Sequence, residues 1–101
     1  MRDAGITLIN VMTVAPAQQQ ALVALLRQNI DGVIRTLAGW RSSRLIAAAD
    51  GASVVIVSDW QSPAAVAAMR ADPRMQAYFP KIRALAELQS IVGEVVMQAE
   101  P

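Results

Sequence analysis

An α+β fold with the element order β-α-β-β-α-β is predicted by three features of this sequence. Turn and cap signals at Gly39-Trp40, Asp50-Gly51, Ser62-Pro63 and Asp72-Pro73 cut the chain into pieces of strand or helix length. Between them, apolar residues either recur at helical spacing or fall in dense β-branched runs. The whole is 101 residues with no linker, repeat or low-complexity stretch, which is one domain over 1–101.

Ile6–Val14 reads as the first strand. Leu22, Leu25, Leu26, Ile30, Val33 and Leu37 predict a helix over Pro16–Leu37, ended by Gly39, which is free to take left-handed dihedrals. Trp40–Ala49 and Ser53–Trp60 form a hairpin about Asp50-Gly51, because such a turn needs positive φ, which Asp tolerates and Gly adopts freely. Ser62 can accept from the orphan N–H groups of a helix start, and Pro63 has the φ its first turn needs. Asp72-Pro73 interrupts that helix near Arg70 and restarts it, and Pro80 is expected to bend or split the restarted helix. Ile91–Ala99, with Val92, Val95, Val96 and Met97, reads as the last strand.

This order is that of a ferredoxin-like split βαβ sheet with both helical regions on one face. The strands nevertheless carry apolar residues on both sides. Ile6, Leu8, Met12 and Val14 oppose Ile9 and Val11, and Val54 and Ile56 oppose Val55 and Val57. A half-exposed antiparallel sheet should alternate apolar with polar, so something must cover the second face. A second copy of the chain is the simplest cover, and a homodimer with sheets packed face to face or closed into a barrel is expected.

Composition removes many functions. The chain has no cysteine and no histidine, which excludes disulfides, thiolate catalysis, the usual zinc sites, histidine-ligated haem and Ser-His hydrolysis. Nine basic and eight acidic side chains are scattered with no Lys/Arg block, so nucleic acid is not an expected partner. No apolar run approaches the ~20 residues of a membrane span. Arg2, the apolar stretch Ile6–Val14 and Ala15-Pro16-Ala17 imitate a secretory leader, but Asp3 and Asn10 interrupt the pattern, and a cytoplasmic protein is expected.

Few side chains are left to carry chemistry. Asn10 shares a strand face with Leu8 and Met12, so its amide sits among apolar groups and needs partners, either a neighbouring loop or a ligand. Trp60 stands where a strand hands over to a helix, as core packing or as a pocket wall with an indole N–H donor. Tyr78 and Phe79 fall among Met75, Ile82 and Leu85, at the spacing of a core face. Trp40 opens its strand against a helix end. Asp59 should point away from Trp60, as one end of a solvated or interface salt bridge or, if it faces the pocket, as a base. Lys81 and Arg83 face solvent unless they line the pocket, where either could stabilise an anion.

The pattern Ala38-Gly39-Trp40, Asp50-Gly51, a Val-rich strand ending Asp59-Trp60-Gln61-Ser62, then Ala71-Asp72-Pro73, resembles the antibiotic biosynthesis monooxygenase superfamily over almost the whole chain. The resemblance implies a dimeric α/β barrel with a pocket between sheet and helices in each protomer. It implies oxidation of a small aromatic quinol or anthrone by O2 without metal, flavin or other cofactor. Trp60 matches the family Trp at the end of the third strand, and Asn10 the first-strand Asn of a haem-degrading branch. Where the polyketide branch often has a third-strand Asn, this chain has Ile56, and the haem-binding His of the other branch falls near Tyr78. Haem degradation by the same ligation is thereby disfavoured, although tyrosinate is a chemically possible ligand. Asn10, Trp60 and Tyr78 are the expected catalytic residues, with Met12, Ile56, Phe79 and Ile82 as substrate-binding walls. A non-catalytic barrel binding a small hydrophobic metabolite, and an isomerase or cyclase, are the alternatives on this fold.

Overall fold

The computed structural model describes residues 5–101; Arg2 and Asp3 of the leader-like pattern lie outside the described residues. Strands β1 (Ile6–Val14), β2 (Trp40–Ala47), β3 (Ser53–Trp60) and β4 (Ala86–Gly93) form one antiparallel sheet in the order β2-β3-β1-β4. Helices α1 (Gln19–Gly32), α2 (Pro63–Ala71) and α3 (Pro73–Leu85) pack on one face of it. None of the described helices is long and apolar enough to cross a membrane.

Local chemistry sets the boundaries. Ser62 Oγ accepts from the Ala65 N–H at 3.2 Å and Asp72 Oδ1 from the Arg74 N–H at 2.8 Å, so α2 and α3 begin where caps were expected. Gly39 (φ +85°) and Gly51 (φ +79°) hold the two left-handed positions. The β2–β3 loop is closed by Ala48 N–H to Ser53 O at 3.0 Å, and Asp50 Oδ1 accepts from the Ala52 N–H at 2.9 Å. β2 therefore stops at Ala47, two residues short of the expected Ala49.

Three expectations are corrected. The predicted helix Pro16–Leu37 is a 3-10 turn at Pro16–Gln18, then α1, then a 3-10 turn at Ile34–Thr36. Gly32 and the β-branched Val33 weaken the helix there, and Val33 leaves helical dihedrals at φ −125°. Pro80 does not split α3, which runs unbroken from 73 to 85; Pro80 and Gln76 are both exposed, so water can bond the Gln76 carbonyl that proline leaves without a donor. The last strand is Ala86–Gly93 rather than Ile91–Ala99. Its register against β1 runs from Val14↔Ala86 to Thr7↔Gly93, so pairing ends where β1 ends, whatever the β-propensity of Val95 and Val96.

The row Ile6, Leu8, Met12, Val14 of β1 and the row Val54, Ile56, Ser58, Trp60 of β3 are buried under the helices. They meet Leu22 and Leu26 of α1, Val66 and Met69 of α2, and Met75 and Ile82 of α3. On the opposite face, Ile9 and Val11 pair with Val57 and Val55 and are half-buried. There Ile46 and Ile91 remain 43% and 55% exposed.

Candidate functional site

The helix layer and the sheet enclose a cavity of about 50 Å³. Leu8, Asn10 and Met12 of β1 with Ile56, Ser58 and Trp60 of β3 make its sheet wall. Leu26 and Asn29 of α1, Met69 of α2, and Met75, Phe79 and Ile82 of α3 make the helix wall. That volume holds a few water molecules, well short of the roughly 300 Å³ or more of a small-ligand pocket. A wider mouth of about 400 Å³ adjoins it, sharing Leu8, Asn10, Met69, Phe79 and Leu88 and rimmed by Arg70, Gln76, Arg83 and Ser90. The shared side chains are a partition, and Met69 at that partition, with Met12 and Met75 deeper in, are unbranched and repack readily.

The sequence places its polar groups here by strand alternation. Trp60 is the last residue of β3, on the helix side of the sheet and 1% exposed. Its Nε1–H is buried and finds no hydrogen-bond partner among the described residues. Asn10 lies opposite Ile56 of β3 and Ser90 of β4. Its Oδ1 accepts from Ser90 Oγ at 2.5 Å, which leaves the amide N–H groups for the cavity mouth. Ser58 Oγ lies 2.9 Å from Ser43 Oγ, which also accepts from Trp40 Nε1 at 2.9 Å. Trp40 thus steadies the Ser43–Ser58 pair from behind and does not reach the cavity.

Of the residues singled out from sequence, Asn10, Trp60, Met12, Ile56, Phe79 and Ile82 line this one cavity, and Tyr78 does not. Neighbouring side chains on a helix diverge by about 100°. With Phe79 turned inwards, Tyr78 is carried to the flank, where its hydroxyl donates to Gln28 Oε1 at 3.4 Å and Lys81 Nζ lies 5.4 Å from its ring. Asp59 points to the other sheet face, accepting from Thr7 Oγ1 at 2.8 Å and Ser42 Oγ at 3.2 Å. Asn29, Ser58 and Arg70 were missed. Asn29 continues the helical row Leu22, Leu26 at its next inward position, and that spacing was readable.

Among the described residues, no carboxylate lines the cavity or its mouth. The mouth instead carries two guanidinium groups, and that of Arg83 sits 5.8 Å from the Phe79 ring centre. A perturbed acid–base pair lies elsewhere: the Arg74 side chain hydrogen-bonds Asp72 and lowers its pKa, while Asp72 raises that of Arg74. Among the described residues, no cluster of three or more His, Cys, Asp or Glu could hold a metal ion.

Comparison with known proteins adds to this geometry. Residues 5–81 match the family model described as antibiotic biosynthesis monooxygenase. The chain is 38% identical over 89 residues to tetracenomycin-F1 monooxygenase of Streptomyces glaucescens, covering 88% of this chain and 80% of that one. Among solved structures it is similar to a Streptomyces coelicolor monooxygenase in complex with nanaomycin D, with TM-score 0.88, 25% identity, and 97% and 93% of the two chains covered. SnoaB, a cofactor-independent oxygenase from Streptomyces nogalater, shares the fold at TM-score 0.78 and 22% identity, with 99% of each chain covered.

Proposed function

The chain belongs to the antibiotic biosynthesis monooxygenase family, and from that premise we propose that it is a cofactor-independent monooxygenase acting on a small aromatic quinol, anthrone or similar phenol. The observation that carries this reading is the buried Trp60 N–H, without a partner among the described residues, in a cavity whose mouth is lined by Asn10, the amide oxygen of which is taken by Ser90. The two donors stand on adjacent strands four register positions apart, so they suit two separate oxygens of one ligand over which negative charge spreads during reaction.

The chemistry balances with O2 as sole oxidant. An anthrone-type CH2 enolises and loses a proton; the anion, one of its oxygens held by Trp60 and another by Asn10, gives electrons to O2. One oxygen atom forms a C–O bond at the ring carbon. The O–O bond then breaks, leaving a carbonyl and one water that carries both hydrogens of the former CH2. No described lining side chain is a base, so the proton leaves to solvent water through the mouth. There the positive charge of Arg70 and Arg83 favours the anion. The apolar walls exclude bulk water and strengthen these interactions.

The working unit in this reading is a homodimer. The outer sheet face carries Ile9, Val11, Val55, Val57, Ile46 and Ile91, and beyond β4 the side chains of Val95, Val96 and Met97 are 62%, 96% and 77% exposed. So much apolar surface asks for a covering partner. A protein that scatters light as a monomer at micromolar concentration would overturn this part.

A non-catalytic binder of small hydrophobic metabolites is the second reading, favoured by a cavity wall that holds no carboxylate among the described residues. Oxygen uptake with a panel of anthrones and naphthols separates the two. The parent protein consumes O2, and Asn10→Ala does so about 10²-fold more slowly while losing only about 1 kcal/mol of stability with the Ser90 bond. Binding without O2 uptake would leave the binder.

A further inference from the structure

The cavity holds a second buried polar group that neither the fold nor the chemistry above uses. Asn29 is 3% exposed, and its Oδ1 finds no hydrogen-bond partner among the described residues. Its backbone is already satisfied in the helical pattern, with Asn29 O accepting from the Val33 N–H at 2.9 Å. Among the described residues the side chain caps nothing, and asparagine is a weaker helix former than the leucines that precede it on the same face. Leucine at this position would bury more favourably, so the amide carries a cost that a structural account does not recover.

Trp60 has the complementary lack. Trp60 belongs to the sheet wall of the cavity and Asn29 to its helix wall, and the Nε1–H of one and the Oδ1 of the other are buried without a partner among the described residues. One wall offers a donor, the other an acceptor, and the two do not bond each other. Everything else between them is apolar except Ser58, which is engaged with Ser43, and Asn10 at the mouth.

Building on the reading of this cavity as the ligand site, we infer that Asn29 is a specificity-determining residue that selects aromatic ketones or quinones bearing a free hydroxyl. The ligand carbonyl or enolate oxygen accepts from Trp60 Nε1, and the second hydroxyl donates to Asn29 Oδ1. A ligand lacking that hydroxyl leaves the amide oxygen buried and unmet, which is the stronger form of discrimination for a polar site. An ether in its place leaves the oxygen unmet and adds a methyl group against the helix wall.

Calorimetric titration of the full chain with 5-, 6- and 7-hydroxy-1-tetralone, their methyl ethers and 1-tetralone tests this without oxidation. At least one hydroxy isomer binds about tenfold or more tightly than both its ether and the parent ketone. In Asn29→Leu the three bind within about twofold of one another, and the variant melts no lower than the parent because a buried orphan has gone. Should the leucine variant fail to fold, Asn29→Ala carries the same comparison. The inference is overturned if no isomer binds, if hydroxyl, ether and hydrogen are bound alike, or if the preference persists once Asn29 is replaced. Oxygen uptake is read separately. A protein that discriminates but consumes no O2 keeps this inference and loses the monooxygenase reading, and one that consumes O2 without discriminating does the reverse.

Discussion

Trp60→Phe separates a catalytic indole from a packing one, because the structure sets its two effects on stability against each other. The substitution removes the Nε1–H and two ring carbons from a side chain that is 1% exposed. Losing two buried carbons costs about 1.6 kcal/mol at roughly 0.8 kcal/mol each. Removing a buried donor that has no partner among the described residues returns about 1–3 kcal/mol of desolvation. The net change runs from a loss of about 0.6 to a gain of about 1.4 kcal/mol, a melting shift of at most roughly 5 °C down or 11 °C up for a domain this size. Catalysis has no such offset: if the N–H bonds an oxygen whose charge grows in the transition state, turnover falls about 10²-fold or more. The assays are urea denaturation for stability and an oxygen electrode with anthrone and naphthol substrates for rate. A variant that loses about 3 kcal/mol or more with undiminished oxygen uptake would refute the assignment, since a loss of that size is what truncating a packed core aromatic produces.

Three further outcomes are expected. Arg70→Gln and Arg83→Gln, which neutralise the cavity mouth, raise KM for anionic naphtholates about three- to tenfold at low salt and less at high salt; equal effects on neutral substrates would count against electrostatic guidance. Asp72 has its carboxyl pKa held below the ordinary 3.8, first by the Arg74 side-chain hydrogen bond and then by the Arg74 backbone N–H. A lowered carboxyl stabilises fully above its unfolded value and loses that contribution as pH falls through the folded one, so Asp72→Asn is less stable than the parent at about pH 6, and the gap closes as pH falls below 3.8, as urea midpoints across pH would show. Gly39→Ala places a Cβ 2.5 Å from that of Ala65 at φ +85°, and denaturation should record a loss exceeding the roughly 1–2 kcal/mol of left-handed backbone alone.

Strand and helix assignments came through wherever local chemistry decides them. The Ser62 and Asp72 caps, the left-handed Gly39 and Gly51, and the alternation that turns Trp60 towards the helices while sending Asp59 to the other face depend on neighbours within a few residues. Alternation also brought Met12 and Ile56 to one cavity wall with Asn10. The last strand failed for the opposite reason. Its extent is set by where β1, at the far end of the chain, stops offering backbone, so Val95 and Val96 lie outside the sheet despite their propensity.

The site divides in the same way. A donor on β1 and an indole at the end of β3 were legible as candidates because periodicity fixes the face each occupies. Tyr78 was not resolved from Phe79 by sequence, since adjacent aromatics on one helix differ only in rotation about its axis, and packing against α1 chooses between them. Whether a buried amide finds a partner is likewise a matter of distance across the fold. Asn10 meets Ser90 across a strand pair, whereas the Asn29 Oδ1, on an equally readable helical row, meets none among the described residues. Periodicity says which side chains turn inwards; only the packing of distant elements decides which of them leave a hydrogen bond unmade, and those unmade bonds are what a ligand can complete.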